Sequence, residues 1–511
     1  MPEVIIVGAG FSGMAAAIKL KRAGIDDFVI LERAHEVGGT WRDNTYPGVA
    51  VDIPSFTYSY HFEPNSGWSH AFAPGAELFA YAKHCAQKYG LRPHLRFDSE
   101  VACARFDEQA HLWRVTLTDG TTVAGRFLIS CHGSLITPQR PAIPGLDDFA
   151  GHTVYTMRWD HDHDPTGRRV AVIGTGASAL QVIPSIADRV SVLHVYQRTP
   201  IWVLPKVNPR MDGLPRAVLE HVPLAQRSIR WAASIGSEAL LTLGAVYYRD
   251  APFIVDSIEQ LARAFLRSQV PDPDLREKLT PAYGFGCKRP SFSNTYYKTF
   301  LRDNVELITD GIDRVTARGI RTVDGTEREI DTLILATGFK VFDVPYDLYG
   351  TDGVTLNDRW DRDRKSSYEG TTVHGYPNLF LAPGPYGVTG SSLFASFDLC
   401  ADHALRVIKA ARNRRATRVE ITAPAQERFL AFVRARVGRT MFFSPACAGS
   451  NSYYIDNNGD AAFLRPTAGL HAIWSQKTFD LNDYRFDAAP RRVPAAVEGG
   501  GRRCGTSSAP R

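Results

Sequence analysis

The sequence predicts an α/β protein built from two Rossmann-like dinucleotide-binding units, with a helical insertion. Three observations carry this reading. The stretch "EVIIVGAG" (3–10) is an apolar strand that runs straight into glycines, and "RRVAVIGTGASA" (168–179) repeats the arrangement. Each is followed by a helix-like segment and a further apolar strand, "DFVILER" after the first and "VSVLHVYQRTP" after the second, which makes two βαβ units. Residues 216–284 are rich in helix formers and lack strand alternation, as an inserted helical segment would be.

The rest of the chain fits around these units. At 511 residues, with 44% hydrophobic and 22% charged residues, it has the make-up of an ordinary globular protein of two or three domains. A formal charge of +5 is too small at this length to point to nucleic acid. Seven cysteines without CxxC or zinc-like spacing read as reduced thiols of a cytoplasmic protein, and no metal site is expected. The opening residues enter a strand directly and show no secretory signal. The apolar run 231–248 is broken by Glu238 and reads as a packed helix or a dimer contact, not a membrane span. "DTLILATGF" (331–339) returns to a buried strand, and residues 486–511 read as a disordered tail. The alternation "WDHDHD" (159–164) reads as a solvated linker.

The two glycine motifs are in register. In the first, Gly8, Gly10 and Gly13 allow a tight turn, close approach of a pyrophosphate and tight helix packing, with Phe11 and Ser12 at the helix start. Glu32, 24 residues after Gly8 and followed by Arg33, places a carboxylate where ribose hydroxyls can donate. In the second, Gly174-Thr175-Gly176-Ala177-Ser178-Ala179 opens a helix that carries Gln181. Twenty-four residues after Gly174 stands Arg198, not an acid, followed by Thr199. A base in that slot suits the 2′-phosphate of NADPH. Two dinucleotide sites on one chain imply a nicotinamide donor passing hydride to a flavin.

Further motifs narrow the chemistry. "GGTWRDNTYPGVAVDIPSFTYSY" (38–60), "ATGF" (336–339) and "CKRPSFSNTYYKTFLRDNV" (287–305) resemble the class B flavoprotein monooxygenases, and among them the Baeyer–Villiger monooxygenases, over about residues 1–480. That resemblance implies FAD in the first unit, NADPH in the second, and a C4a-peroxyflavin that inserts one atom of O2 next to a ketone carbonyl. It places Gly39, Thr40, Trp41, Asp52, Tyr58 and Leu393 around the flavin and Val101 at the adenine end. It makes Arg289 the cation for the peroxide anion, Asp52 its orienting carboxylate, and Lys288 a second contact to the 2′-phosphate. A buried guanidinium paired to one carboxylate is a physically sensible counter-charge. The implied division is 1–147 and 329–485 for FAD, 152–215 and 285–328 for NADP, with the insertion at 216–284.

Two departures from the family pattern stand out. The Baeyer–Villiger fingerprint F-x-G-x-x-x-H-x-x-x-W-P/D is met by Phe149, Gly151, Trp159 and Asp160, but Tyr155 occupies the histidine position. His152, three residues earlier, is no evident substitute. In "NSYYIDNNGDAAF" (451–463) Tyr453 stands where many relatives have a tryptophan over NADP+, and Trp474 is another candidate cap. The Tyr155 departure keeps an N- or S-oxygenating flavin monooxygenase open as the alternative. A dinucleotide-dependent disulfide reductase would need a CxxC or CxxxxC pair, which the sequence lacks. The expected substrate is a small, mostly apolar ketone, bound partly by "PYGVTGSSLF" (385–394), whose glycines read as mobile or close to the flavin. The expected assembly is a monomer or homodimer.

Overall fold

A computed structural model describes residues 1–488 apart from 214–216, 218, 220, 342 and 390–391. Two five-stranded parallel sheets form its framework. In the first, Val4–Val7 lies between Phe127–Ser130 and Phe28–Leu31, with Leu379–Leu381 and Leu95–Arg96 outside them. In the second, Arg169–Ile173 lies between Val192–Tyr196 and Thr332–Leu335, with Val305–Ile308 and His152–Tyr155 at the edges. Val4–Val7 is buried at every position, as a strand covered on both faces must be. This explains why its sequence is a continuous apolar run without alternation.

Thr332–Leu335 corrects one expected boundary. The segment from 329 was assigned to the first unit, yet this strand pairs in the second sheet with Val170–Ile173 and His152–Tyr155. An apolar run fits the centre of either sheet equally well, so pattern alone cannot choose between them. The chain crosses between the units at two places that bond to each other. Gln139 N–H donates to the Gly338 carbonyl at 2.8 Å and Lys340 N–H to the Thr137 carbonyl at 3.0 Å.

The insertion is helical: Pro223–Leu241, Pro252–Gln269 and Pro273–Leu279. The first of these is less packed than its sequence suggested. Trp231, Ile235 and Leu240 on it are exposed, so the run 231–248 begins as an amphipathic helix with an open apolar side and continues in a π-helical stretch, Thr242–Val246. Among the described residues no helix is long and apolar enough to cross a membrane. The expected tail begins too early, because Phe486 and Asp487 sit in the strand Tyr484–Asp487, paired with Arg418–Ile421. Residues 489–511 lie outside the described residues. Gly384 and Gly387 pack against Gly370 backbone, so their lack of a side chain serves close packing; Gly390 lies outside the described residues.

The cysteine reading also needs correction. Cys287 and Cys447 form a disulfide across 160 residues, with Cα atoms 5.2 Å apart. Spacing could not show this, because the pair is made by tertiary packing between the insertion's end and a C-terminal loop. Cys85, Cys131 and Cys400 are buried thiols.

Candidate active site

At the first glycine loop the helix Phe11–Arg22 begins at Gly10, with no side chain capping its first N–H groups and no acid in its first turn. Bare N–H groups at a helix start attract an anion. A Cβ on Gly39 would sit 3.1 Å from the Gly10 Cα, and one on Gly13 would collide with the Gly8 carbonyl. The backbone is therefore open where a pyrophosphate needs it, and these residues fit FAD.

Glu32 is buried and accepts from Ala9 N–H at 2.8 Å, Ala34 N–H at 3.0 Å and Arg42 Nη1 at 2.8 Å. A carboxylate has about four acceptor positions, so one is left for a ribose hydroxyl. Arg42 had no sequence signal of its own, yet it anchors both Glu32 and Asp43. Arg33 turns to Asp43 at 2.9 Å.

Thr40 and Trp41 open the short helix Thr40–Asp43. Trp41 Nε1 donates to the Tyr58 hydroxyl at 3.2 Å, and the Tyr58 ring stands edge-on to Phe394 at 4.9 Å. Phe394, next to Leu393, lies 4.6 Å from the Phe11 ring. Phe11, Trp41, Tyr58 and Phe394 are thereby gathered at one wall, and Leu393 opens the helix Leu393–Arg414 that carries Phe394. Ser12 is buried beside the Cys131 carbonyl, and Val101 is buried at the start of the strand Val101–Asp107.

The second glycine loop repeats the first. Gly176 opens the helix Ala177–Ile186, again uncapped and without an acid in its first turn. A Cβ on Gly176 would meet nothing within 4 Å, whereas Gly174 (φ +114°) presses on the Ala336 carbonyl. The Thr175 hydroxyl donates to the Thr199 carbonyl at 2.8 Å, tying this loop to the strand end that presents exposed Arg198. Burial, and then the charge of Arg198, push the Lys288 ammonium down to about 8. Two cations near enough to repel each other suit a phosphate dianion as a shared partner.

Gln181, by contrast, is occupied with protein. Its carboxamide accepts from the Tyr46 hydroxyl at 3.1 Å and donates to the Ala50 carbonyl at 3.0 Å. The Tyr46 hydroxyl also lies at Ser178, so the start of this helix is joined to the loop before Asp52. Tyr46 stands inside the quoted glycine-tryptophan motif, but its role as a bridge between units was not legible there.

Arg289 and Asp52 form a bidentate pair. Nη2 donates to Oδ1 at 2.8 Å and Nε donates to Oδ2. The Asp52 charge, working against burial, holds the guanidinium well above its usual range, so it stays charged. The arginine is 38% exposed, less buried than its sequence context suggested, and its Nη1 has no hydrogen-bond partner among the described residues. Tyr453 and Tyr454 lie near enough to interact with its charge. Tyr453 is half-exposed and packs on Tyr454 at 4.4 Å. Trp474, the other candidate cap, lies against His471 on the helix Gly469–Thr478.

Tyr155 ends the strand His152–Tyr155 and packs into the second unit's core. His152 instead stacks on His163 at 3.9 Å and faces Asp160 at 3.1 Å, away from the fingerprint position. Within the "WDHDHD" linker, His161 bonds Thr45 and His163 bonds Thr332, so the linker spans the two units. Among the described residues no group of three metal-ligating side chains converges.

The chain resembles known proteins over nearly its whole length. A family model described as pyridine nucleotide-disulphide oxidoreductase matches residues 5–222, the stretch that holds both glycine loops. A Baeyer–Villiger monooxygenase of Streptomyces coelicolor is 37% identical, over 96% of this chain and 94% of that protein. Another, of Pseudomonas aeruginosa, is 36% identical over 97% and 90%. Among solved structures, OTEMO in complex with FAD and NADP superposes with a TM-score of 0.84 at 29% identity, covering 95% and 99% of the two chains. A closed structure of cyclohexanone monooxygenase gives 0.84 at 25% identity, over 95% and 99%. With two bare glycine loops flanking one arginine–carboxylate pair, and with these relatives, the chain belongs to the Baeyer–Villiger monooxygenase family.

Proposed function

We propose that Arg289, oriented by Asp52, is the catalytic cation of an NADPH- and O2-dependent Baeyer–Villiger oxidation, converting a ketone to an ester or lactone. Bound FAD, reduced by NADPH, supplies the oxygen-activating chemistry. The observation that carries the reading is the bidentate Arg289–Asp52 pair, which leaves Nη1 without a partner among the described residues, while Lys288, next to Arg289 in the chain, feels the charge of Arg198. Asp52 spends both oxygens on Arg289, which fixes the plane of the guanidinium. The unpartnered Nη1 is then the donor for negative charge that develops on oxygen as the carbonyl is attacked.

Arg198 and Lys288 hold the 2′-phosphate of NADPH, and the uncapped helix at Gly176 faces its pyrophosphate. Tyr453 covers the site from the C-terminal loop and helps exclude water. The Phe11, Trp41, Tyr58 and Phe394 cluster backs the flavin side of the site, and the expected substrate is a small, mostly apolar ketone. A cytoplasmic setting fits the NADPH requirement. None of the relatives and structures named above supports oxygenation at nitrogen or sulfur. The test is ketone-dependent NADPH oxidation with the product identified by mass. An ester or lactone gaining one labelled oxygen from 18O2 is expected; an N-oxide or sulfoxide from heteroatom substrates, with ketones untouched, overturns the reading.

A further inference from the structure

We propose that Cys287 and Cys447 are positioning residues: their disulfide holds the turn that carries Lys288 and Arg289 against the loop that carries Asn451 and Tyr453. The proposal rests on the reading of Arg289 and Tyr453 given above. Neither segment has a regular ladder to hold it. Residues 281–290 form turns and bends, and 441–454 consists of two short 3-10 turns followed by irregular chain. Segments of this kind keep many conformations open unless something removes them. The two cysteines lie at the contact, Cys287 fully buried and Cys447 nearly so.

Three further contacts converge on the same junction. Gly284 N–H donates to the Ala446 carbonyl at 2.8 Å. Gly286 sits at φ +91°, a backbone conformation that strains any residue with a side chain, and its ideal Cβ position lies 2.8 Å from Met441 Sδ. Trp202, Tyr283, Phe285 and Met441 close a small apolar core around the sulfurs. Trp202 Nε1 also donates to the Tyr283 carbonyl at 2.9 Å, which anchors the turn to the nucleotide unit.

The bond is placed to act on both halves of the site. On one side it is one residue from Lys288 and two from Arg289. On the other, Asn451 Nδ2 reaches Thr199 Oγ1 at 3.4 Å, beside Arg198, and Tyr453 interacts with Arg289. One covalent link therefore sets the reach of the phosphate cations, the catalytic guanidinium and the cap together. Reduction by a dithiol transfers two electrons and two protons to the bond, giving two thiols and the cyclic oxidised dithiol. Both loops then regain freedom that NADP+ binding must remove. In a compartment with a reducing thiol pool, that pool would open this link and loosen the site.

The test uses the full-length, FAD-loaded protein. Non-reduced peptide mass spectrometry should find a 287–447 cross-linked peptide. After dithiothreitol treatment verified by the same method, and in Cys287→Ser/Cys447→Ser, the NADP+ dissociation constant should rise about tenfold, the cost of ordering one or two more loop side chains on binding. The fraction of oxidised NADPH that appears as hydrogen peroxide should rise with it, and both should return on reoxidation with oxidised glutathione. FAD content should not change. Free thiols at both positions in untreated folded protein overturn the proposal, as does an unchanged dissociation constant after verified reduction. If the double variant fails to fold, the reduced wild-type protein and Cys447→Ser decide. Arg289→Lys serves as the separate control. Full coupled turnover in that variant removes the reading of Arg289 without touching the cysteine result.

Discussion

Arg289 and Asp52, 237 residues apart in the chain, meet through two parallel hydrogen bonds that leave one guanidinium nitrogen without a partner among the described residues. Asp52 comes from the flavin-side loop and Arg289 from the turn just past the helical insertion, so this contact joins the two units at the site itself. Replacing Arg289 by Ala removes the charge that faces the developing oxyanion. By analogy with the loss of an oxyanion donor, oxygenating turnover should fall roughly a hundredfold to a thousandfold. Asp52→Asn keeps the shape but gives the arginine a neutral partner, so its loss should be smaller. Product formation at matched FAD content measures both, and equal turnover in wild type and Arg289→Ala would dismiss the catalytic role.

Lys288 gives a pH signature. Its ammonium is pushed down to about 8 by burial and by Arg198, so in the free protein it loses its proton as pH rises through about 8. A bound 2′-phosphate favours the charged form, which means binding takes up a proton. NADP+ affinity should be greatest below about pH 8 and decline above it, by up to tenfold per pH unit. NAD+ affinity should not follow that curve, and Lys288→Met should flatten it. Calorimetric titrations between pH 7 and 9 in buffers of different ionisation enthalpy would read the proton directly.

Arg198 sets the choice of nucleotide. Arg198→Ala removes one charge-assisted hydrogen bond to the 2′-phosphate, worth about 1.5–3 kcal/mol. The preference for NADPH over NADH, expressed as a ratio of kcat/KM, should drop roughly tenfold to a hundredfold. The change should appear in NADPH kinetics alone, because NADH has nothing for this residue to hold. A parallel loss with NADH would mean that Arg198 supports the fold instead.

These residues differ in how far sequence could reach them. Gly8, Gly174, Glu32 and Arg198 were legible because backbone geometry fixes glycines and strand ends at set spacings, whatever the rest of the chain does. Arg289 and Asp52 were legible only through resemblance, since no local spacing links residues that far apart. Arg42 was not legible at all: it looks like a surface cation, but tertiary packing buries it between Glu32 and Asp43. The same holds for Cys287 and Cys447, whose pairing depends on two loops meeting. Thr332–Leu335 shows the limit for strands, where a fully apolar run declares burial and withholds which sheet it joins.

Gln181 tests whether the two units communicate through the helix that follows the second glycine loop. Its carboxamide holds Tyr46 and Ala50, and Ala50 lies two residues before Asp52. A nucleotide seated at the Gly176 end of that helix is thus connected to the carboxylate that orients Arg289. Gln181→Leu would strand the Ala50 carbonyl and leave the Tyr46 hydroxyl, pushed up to about 12 by burial, with Ser178 alone. Leaving such groups without partners costs about 1–3 kcal/mol, visible as a lower Tm. Turnover should fall and the peroxide fraction rise, while KM for NADPH changes little, because Gln181 acts on Asp52 and not on the phosphate. Gln181→Glu keeps an acceptor for Tyr46 but loses the donor to Ala50, and should lie between the two. If Gln181→Leu instead raises KM for NADPH with kcat and Tm intact, the residue contacts the nucleotide and the bridge carries no coupling.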